Sequence, residues 1–193
     1  MPKPSHRETI LEQGLRVVHA HGFANASVRD IVQAAGVPQG SFTNHFVSKE
    51  AFGLEIINLY HANGGELLRA TLRNDSLGPL KRLAAYIDAA KNRLNEDGMR
   101  NGSLLGNFTA EASVHSEPIR LRLIQIFAEL TDAVAYCLKA AVSAGELPRE
   151  FDVKETAAFV VSSLQGAYLL AKAYRSPEPV ERFSRLLFST ILR

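Results

Sequence analysis

Apolar residues recur at every third or fourth position of this chain, in blocks cut apart by glycine and proline. No stretch keeps the strict alternation of a half-buried strand. That pattern leaves one class of fold, a set of helices that each bury a single stripe, and an all-α chain of about nine helices is expected. Ile10, Leu11, Leu15 and Val18 mark a first helix from His6 to about His21, which Gly22 is placed to stop. Ser27 caps a second helix, with Asp30 completing an acidic capping box, Val28, Ile31, Val32 and Ala35 facing inward, and Gly36 at its end. A short third helix, about Gln39 to Phe46, is entered through Pro38. Ser48 caps a fourth that runs to about Leu72 on a spine of Phe52, Ile56, Leu59 and Leu67. Five more follow: about Pro79–Asn95, about Ser103–Val114, from Pro118 to about Ala144 with Gly145 as its stop, Asp152 to about Tyr174, and Pro179–Leu192.

Composition narrows the class. The chain has 193 residues, 46% of them hydrophobic and 22% charged, as expected of a globular protein. Lys and Arg number 22 against 20 Asp and Glu, a net charge of +2 that excludes a polybasic coat for nucleic acid or membrane. Residues 1–50 carry five basic and four acidic side chains, so neither part of the chain is a basic reservoir. DNA binding would have to rest on a few placed groups. The single cysteine, Cys137, excludes an intramolecular disulfide framework and a multi-cysteine zinc site. It sits in an apolar helix and reads as an inert core residue. The N-terminal residues lack the apolar centre of a signal peptide. The longest apolar candidate, Thr156 to Ala171, carries no charge but falls short of the ~20 residues that span a bilayer. A soluble cytoplasmic protein without a membrane partner is the expectation.

Catalytic signatures are missing from the sequence. There is no glycine-rich phosphate loop, no zinc-spaced His/Cys cluster and no Gly-x-Ser-x-Gly elbow. His19 and His21 lie two apart and point to different sides of their helix. Glu55 with Glu66, or Glu111 with Glu117, forms no defined acid–base pair. No enzyme, no cofactor and no metal are expected.

The third helix carries the functional signal. It buries only Phe42 and Phe46 and turns Gln39, Ser41, Thr43, Asn44 and His45 outward, so it adds little to a core. Gln and Asn can bond two edges of adenine, and Ser and Thr can bond bases or phosphates. His45 and Lys49 can meet phosphate, Lys49 at a helix start where free N–H groups also favour an anion. The 26-residue stretch from Ser27 to Phe52 contains Ile31-Val-Gln-Ala-Ala35-Gly36-Val37, then Gly40-Ser-Phe42-Thr-Asn-His45-Phe46, then Lys49-Glu50. With that spacing the sequence resembles the TetR family of bacterial transcription regulators. Thr43 stands where the family commonly has Tyr, and Pro38 where it has Ser or Thr. The resemblance implies a three-helix helix-turn-helix DNA-binding domain over residues 1–48. It assigns Gln39, Gly40, Ser41, Thr43 and Asn44 to the major groove, with Arg29 near base or phosphate. Ser27, His45 and Lys49 would hold the backbone.

Residues 49–193 would then form an effector-binding and dimerisation domain. Ser162, Gly166, Leu170 and Ala173 fall near one face of the eighth helix, where small residues let two backbones approach. Phe183, Leu187 and Ile191 follow at helical spacing in the ninth, with the alternative that both stripes pack inside one chain. A two-fold homodimer would place two recognition helices on an inverted-repeat operator of double-stranded DNA. The run Gly102-Ser103-Leu104-Leu105-Gly106-Asn107, with Glu111 four residues on, resembles a TetR subgroup with Gly-Cys-Leu-x-Gly-Asn. Ser103 occupies the place of that Cys, so a thiol sensor is not expected there. Asn107 and Glu111 are instead candidates to orient a polar group of an unknown small-molecule effector, with Tyr60, Phe108, Phe127 and Tyr168 lining an apolar pocket. Together these imply a repressor released from its operator by the effector. The alternative is a DNA-binding architectural protein without a ligand.

Overall fold

The computed structural model describes residues 5–193, and all regular structure among them is helical. The elements are α1 (His6–His21), α2 (Val28–Ala34), α3 (Gly40–His45), α4 (Lys49–Ala70), α5 (Pro79–Asn95), α6 (Leu104–Ala112), α7 (Glu117–Ser143), α8 (Val153–Tyr174) and α9 (Glu178–Leu186). A π-helical turn, Leu187–Ile191, closes the last element where a continuous helix to Leu192 was expected. The wider turn closes with the Leu192 N–H donating to the Leu187 carbonyl, 2.9 Å apart. Residues five apart then share a face, and both Leu187 and Leu192 enter the core. No helix among the described residues is long and apolar enough to cross a membrane.

The chain forms two compact units that interleave in sequence. The first takes residues 1–63 and 104–124, the second 64–103 and 125–193. Of the expected headpiece, 1–48, the described residues 5–48 lie in the first unit, which also holds the start of α4, all of α6 and the start of α7.

In the first unit α1 packs on α2 and α3. Its N-terminus is fixed by a reciprocal capping box between Ser5 and Glu8. Ile10 and Val18 from α1, Ile31 and Val32 from α2, Phe42 from α3, Phe46 just after it, and Phe52, Ile56 and Ile57 from α4 are all buried. Leu104, Leu105, Phe108, Ala112, Ile119 and Leu123 are buried in the same unit. Gly14 is the closest approach: a Cβ there would lie 2.4 Å from Cζ of Phe52.

In the second unit α9 packs on α8 and α5. The core joins Leu83 and Ile87 of α5, Val134, Cys137 and Leu138 of α7, Val160 and Leu164 of α8, and Val180 of α9. One charge is buried with them. The Arg82 guanidinium, 6% exposed, donates to Asp75 Oδ1 at 2.5 Å and to the Leu77 carbonyl at 2.8 Å. The Tyr136 hydroxyl donates to the same carboxylate. Such partners offset the desolvation cost of burying a charge. The Cys137 thiol donates to the Pro79 carbonyl, and burial pushes its pKa up to about 11, against the pull of Arg82.

Candidate nucleic-acid interface

The recognition element is built from its caps inward. The Ser27 hydroxyl accepts from the Asp30 N–H while the Asp30 carboxylate accepts from the Ser27 N–H, closing both halves of the box that starts α2. The hydroxyl also donates to Asp30 Oδ2 at 2.6 Å. These bonds from Ser27 hold the Asp30 carboxyl below the ordinary range. Gly36 then takes φ +64°, a conformation that costs other residues a steric penalty, and the chain turns into α3.

Helix α3 has six residues and is held by two rings. Phe42 and Phe46 lie 5.1 Å apart, and Phe52 of α4 sits 5.2 Å from the first and 5.0 Å from the second. The Arg7 guanidinium covers the Phe46 ring at 5.6 Å. With both aromatics turned in, Gln39, Gly40, Thr43, Asn44 and His45 are exposed and Ser41 is half-buried. The Thr43 hydroxyl donates back to the Gly40 carbonyl at 3.1 Å, so its hydrogen is engaged within the helix. Arg29 is exposed near the start of α2. So the segment from Arg29 to His45 carries the amides of Gln39 and Asn44, an imidazole and a guanidinium on one unit, the kinds of group that read base edges and meet phosphate.

Two expected backbone contacts are engaged within the chain. The Ser27 hydroxyl serves its own cap. The Lys49 ammonium donates to the Ala24 carbonyl at 3.1 Å and lies 4.9 Å from the centre of the Phe23 ring. Burial lowers its pKa, partly offset by the Glu111 carboxylate. The sequence did not single out Val47, which is 96% exposed in the turn between α3 and α4. Only its failure to fit either helical stripe would have marked it.

The candidates of residues 49–193 divide between the two units. Tyr60, Asn107, Phe108 and Glu111 belong to the first, Phe127 and Tyr168 to the second. Phe108 is buried and stacks on Phe23 with centroids 4.8 Å apart. The Tyr60 ring meets His19 edge-on. Glu111 accepts a hydrogen bond from the Ala24 N–H at 3.0 Å. Tyr168 is buried in the second core. Three residues before it on α8, the Gln165 carbonyl oxygen is buried without a hydrogen-bond partner.

Of the dimer candidates, Ser162, Gly166, Leu170 and Ala173 are exposed along α8, and a Cβ at Gly166 would meet nothing within 4 Å. Phe159, Leu169, Tyr174 and Leu186 are exposed large apolar side chains of α8 and α9 that the sequence did not single out. Phe183 and Ile191 are half-buried against the second core, and Leu187 is 1% exposed within it, so Leu187 has no surface left to offer a partner.

Known proteins match both parts. Residues 10–56 match bacterial regulatory proteins of the tetR family, and residues 79–187 match the tetracyclin repressor-like C-terminal domain. The chain is 34% identical to the HTH-type transcriptional repressor DhaR of Mycobacterium sp. strain GP1, over 100% of this chain and 95% of that one. It is similar to the crystal structure of the regulatory protein TetR from Rhodobacter sphaeroides, with a TM-score of 0.89, 30% identity, and 93% and 95% of the two chains covered. Similarity to the reduced form of E. coli NemR has a TM-score of 0.87 at 26% identity, covering 97% of each chain. The chain therefore belongs to the TetR family of bacterial transcriptional regulators, and α2 and α3 form its DNA-binding helix-turn-helix.

Proposed function

We propose that the protein is a homodimeric repressor that reads an inverted-repeat operator and leaves it when a small molecule binds. The uncovered apolar face of α8 and α9 carries this reading. Leu169 is 68% exposed and Tyr174 62%, beside Phe159, Leu170 and Leu186. Two copies joined on that face by a two-fold axis present two α3 helices to successive turns of the major groove. Gln39, Gly40, Ser41, Thr43 and Asn44 then read bases, and Arg29 and His45 meet phosphate. The near-neutral charge fits a protein that depends on its operator sequence, since bulk attraction to DNA is weak.

The effector belongs to the second unit. An unpartnered buried carbonyl costs about 1–3 kcal/mol, which a ligand bearing a hydroxyl or N–H group would recover at Gln165. Tyr168, on the next turn of α8, adds an aromatic wall. With Ser103 in place of a cysteine, the signal is reversible binding rather than a covalent thiol adduct. Effector binding favours a conformation that misfits the operator, with a coupling of about 1–3 kcal/mol between the two ligands.

Selection of bound DNA from a random pool, repeated with metabolite mixtures present, tests all three parts. Enrichment of an inverted repeat, lost when a mixture is added, is the expected result. Leu170→Glu should halve the sedimenting mass and abolish selection of the repeat. Enriched sequences without symmetry, or a wild-type chain that sediments as a monomer, would overturn the reading.

A further inference from the structure

The turn between α1 and α2 is clasped from two sides within the first unit. From α6, the Glu111 carboxylate accepts from the Ala24 N–H at 3.0 Å, and the Phe108 ring lies 4.8 Å from that of Phe23. From α4, the Lys49 ammonium donates to the Ala24 carbonyl at 3.1 Å and lies over the Phe23 ring. Both polar groups of the Ala24 backbone are thereby bonded to charged side chains. Space at the turn is shaped to match. A Cβ at Gly22 would fall 2.7 and 2.9 Å from the two Glu111 oxygens, and a Cβ at Gly53 would fall 2.7 Å from the Phe23 ring. Next along the chain come Asn25, Ala26 and Ser27, and Ser27 is the cap of α2.

We infer that Glu111 is a positioning residue for DNA binding. It touches no DNA and belongs to neither helix of the helix-turn-helix, yet its carboxylate sets where the α1–α2 turn lies and hence where α2 begins. Hydrogen bonds to an ionised acceptor are about twice as strong as neutral ones, and this one is aimed at a main-chain N–H that has no side-chain freedom. The same carboxylate lies close enough to Lys49 to raise its pKa against the effect of burial, so the acid and the base hold the turn together. Lys49 accordingly acts on DNA through the turn and not as a phosphate ligand. Nearby bonds attach the same segment to α4: the Ser116 hydroxyl donates to Glu50, and the Arg122 guanidinium donates to Asn58 Oδ1 at 2.7 Å. Residues 104–124 are thus built into the DNA-binding unit.

The test uses the full chain and an operator obtained by selection, with Glu111→Ala, Glu111→Gln, Lys49→Met and the Ala/Met double variant. Loss of a hydrogen bond to a charged group corresponds to about tenfold or more in an equilibrium constant, so Glu111→Ala should weaken operator binding about tenfold. Glu111→Gln keeps the length and an acceptor oxygen, and should recover most of that loss. The double variant should lose less than the product of the single losses, because both act on one turn. Lys49→Met should lower operator affinity while leaving the slope of log K against log salt unchanged, since no phosphate contact is removed. Thermal unfolding of each variant identifies any that fails to fold, and the Gln variant keeps the test decisive if the Ala variant does. A lower Tm with operator affinity unmoved would assign Glu111 to stability alone and overturn the inference. So would failure of Gln to rescue at wild-type Tm, or a slope that flattens by about one per lost contact in Lys49→Met.

Discussion

Replacing Gly14 with alanine sets two opposed effects against each other at one atom. Glycine in a helix interior is about 0.8–1.0 kcal/mol less favourable than alanine, so propensity alone makes Gly14→Ala stabilising. The added Cβ, however, would lie 2.4 Å from Cζ of Phe52 and 3.1 Å from Cγ2 of Ile31. Ordinary carbon contacts are about 3.5–4.0 Å, so something must move by about 1 Å. Phe52 has little freedom to move: it is 0% exposed, with the Phe42 ring 5.2 Å and the Phe46 ring 5.0 Å from its own. Overpacking of this kind costs about 1–3 kcal/mol. The difference is a net loss near 1 kcal/mol, or about 2–4 °C in Tm for a chain of this size. Urea unfolding at one fixed protein concentration measures it. Phe52→Leu, destabilising alone, should make room for the new methyl group, and the pair should show a favourable coupling of about 0.5–3 kcal/mol. An alanine variant more stable by about 1 kcal/mol and additive with Phe52→Leu would show that α1 and α4 are not in the close contact described.

Asn44→Ala should weaken operator binding by about 1–3 kcal/mol and leave binding to random DNA nearly unchanged, and equal losses on both would remove Asn44 from base readout. Cys137 should resist thiol reagents at pH 8 in the folded state and react at once in urea. Because burial lifts its folded pKa to about 11, above that of an exposed thiol, the unfolded chain releases that proton first, and this contribution to stability is lost as pH rises towards 11. Arg175 closes α8 at φ +53°, a left-handed conformation that glycine adopts without strain. Arg175→Gly should therefore raise stability by about 0.5–1 kcal/mol in the same urea assay, and an unchanged midpoint would mean that the strain is relieved elsewhere.

Much of this architecture was readable from local chemistry. The ends of α1 and α5 fall where the stripe, Gly22 and Pro79 place them, because caps and breakers act over one turn. The polar face of α3 was equally legible, since a six-residue helix with one inward aromatic and another at its C-cap has few arrangements. Contacts between distant segments were not. Lys49 reads as a surface cation until Ala24 and Phe23 are seen around it, and Glu111 reads as a pocket acid until its bond to Ala24 is seen. Leu187 follows the same logic. Its spacing from Phe183 fits a shared outward stripe, and only the π turn after α9 shows that it points inward.

The interleaving of the two units sets an order on synthesis. The first unit needs residues 104–124, so it lacks α6 when the helix-turn-helix has been translated. Between residue 63 and residue 124 a ribosome working at about 5–20 residues per second takes roughly 3–12 s. During that interval the nascent headpiece is without Phe108 and Glu111, and the α1–α2 turn has only its α4 partners. The bond from Ala24 to Glu111 spans 87 positions, so it forms late and at a high cost in loop closure. The α1–α2 turn of a newly made chain therefore gains its α6 clasp only after more than half of the protein has been synthesised.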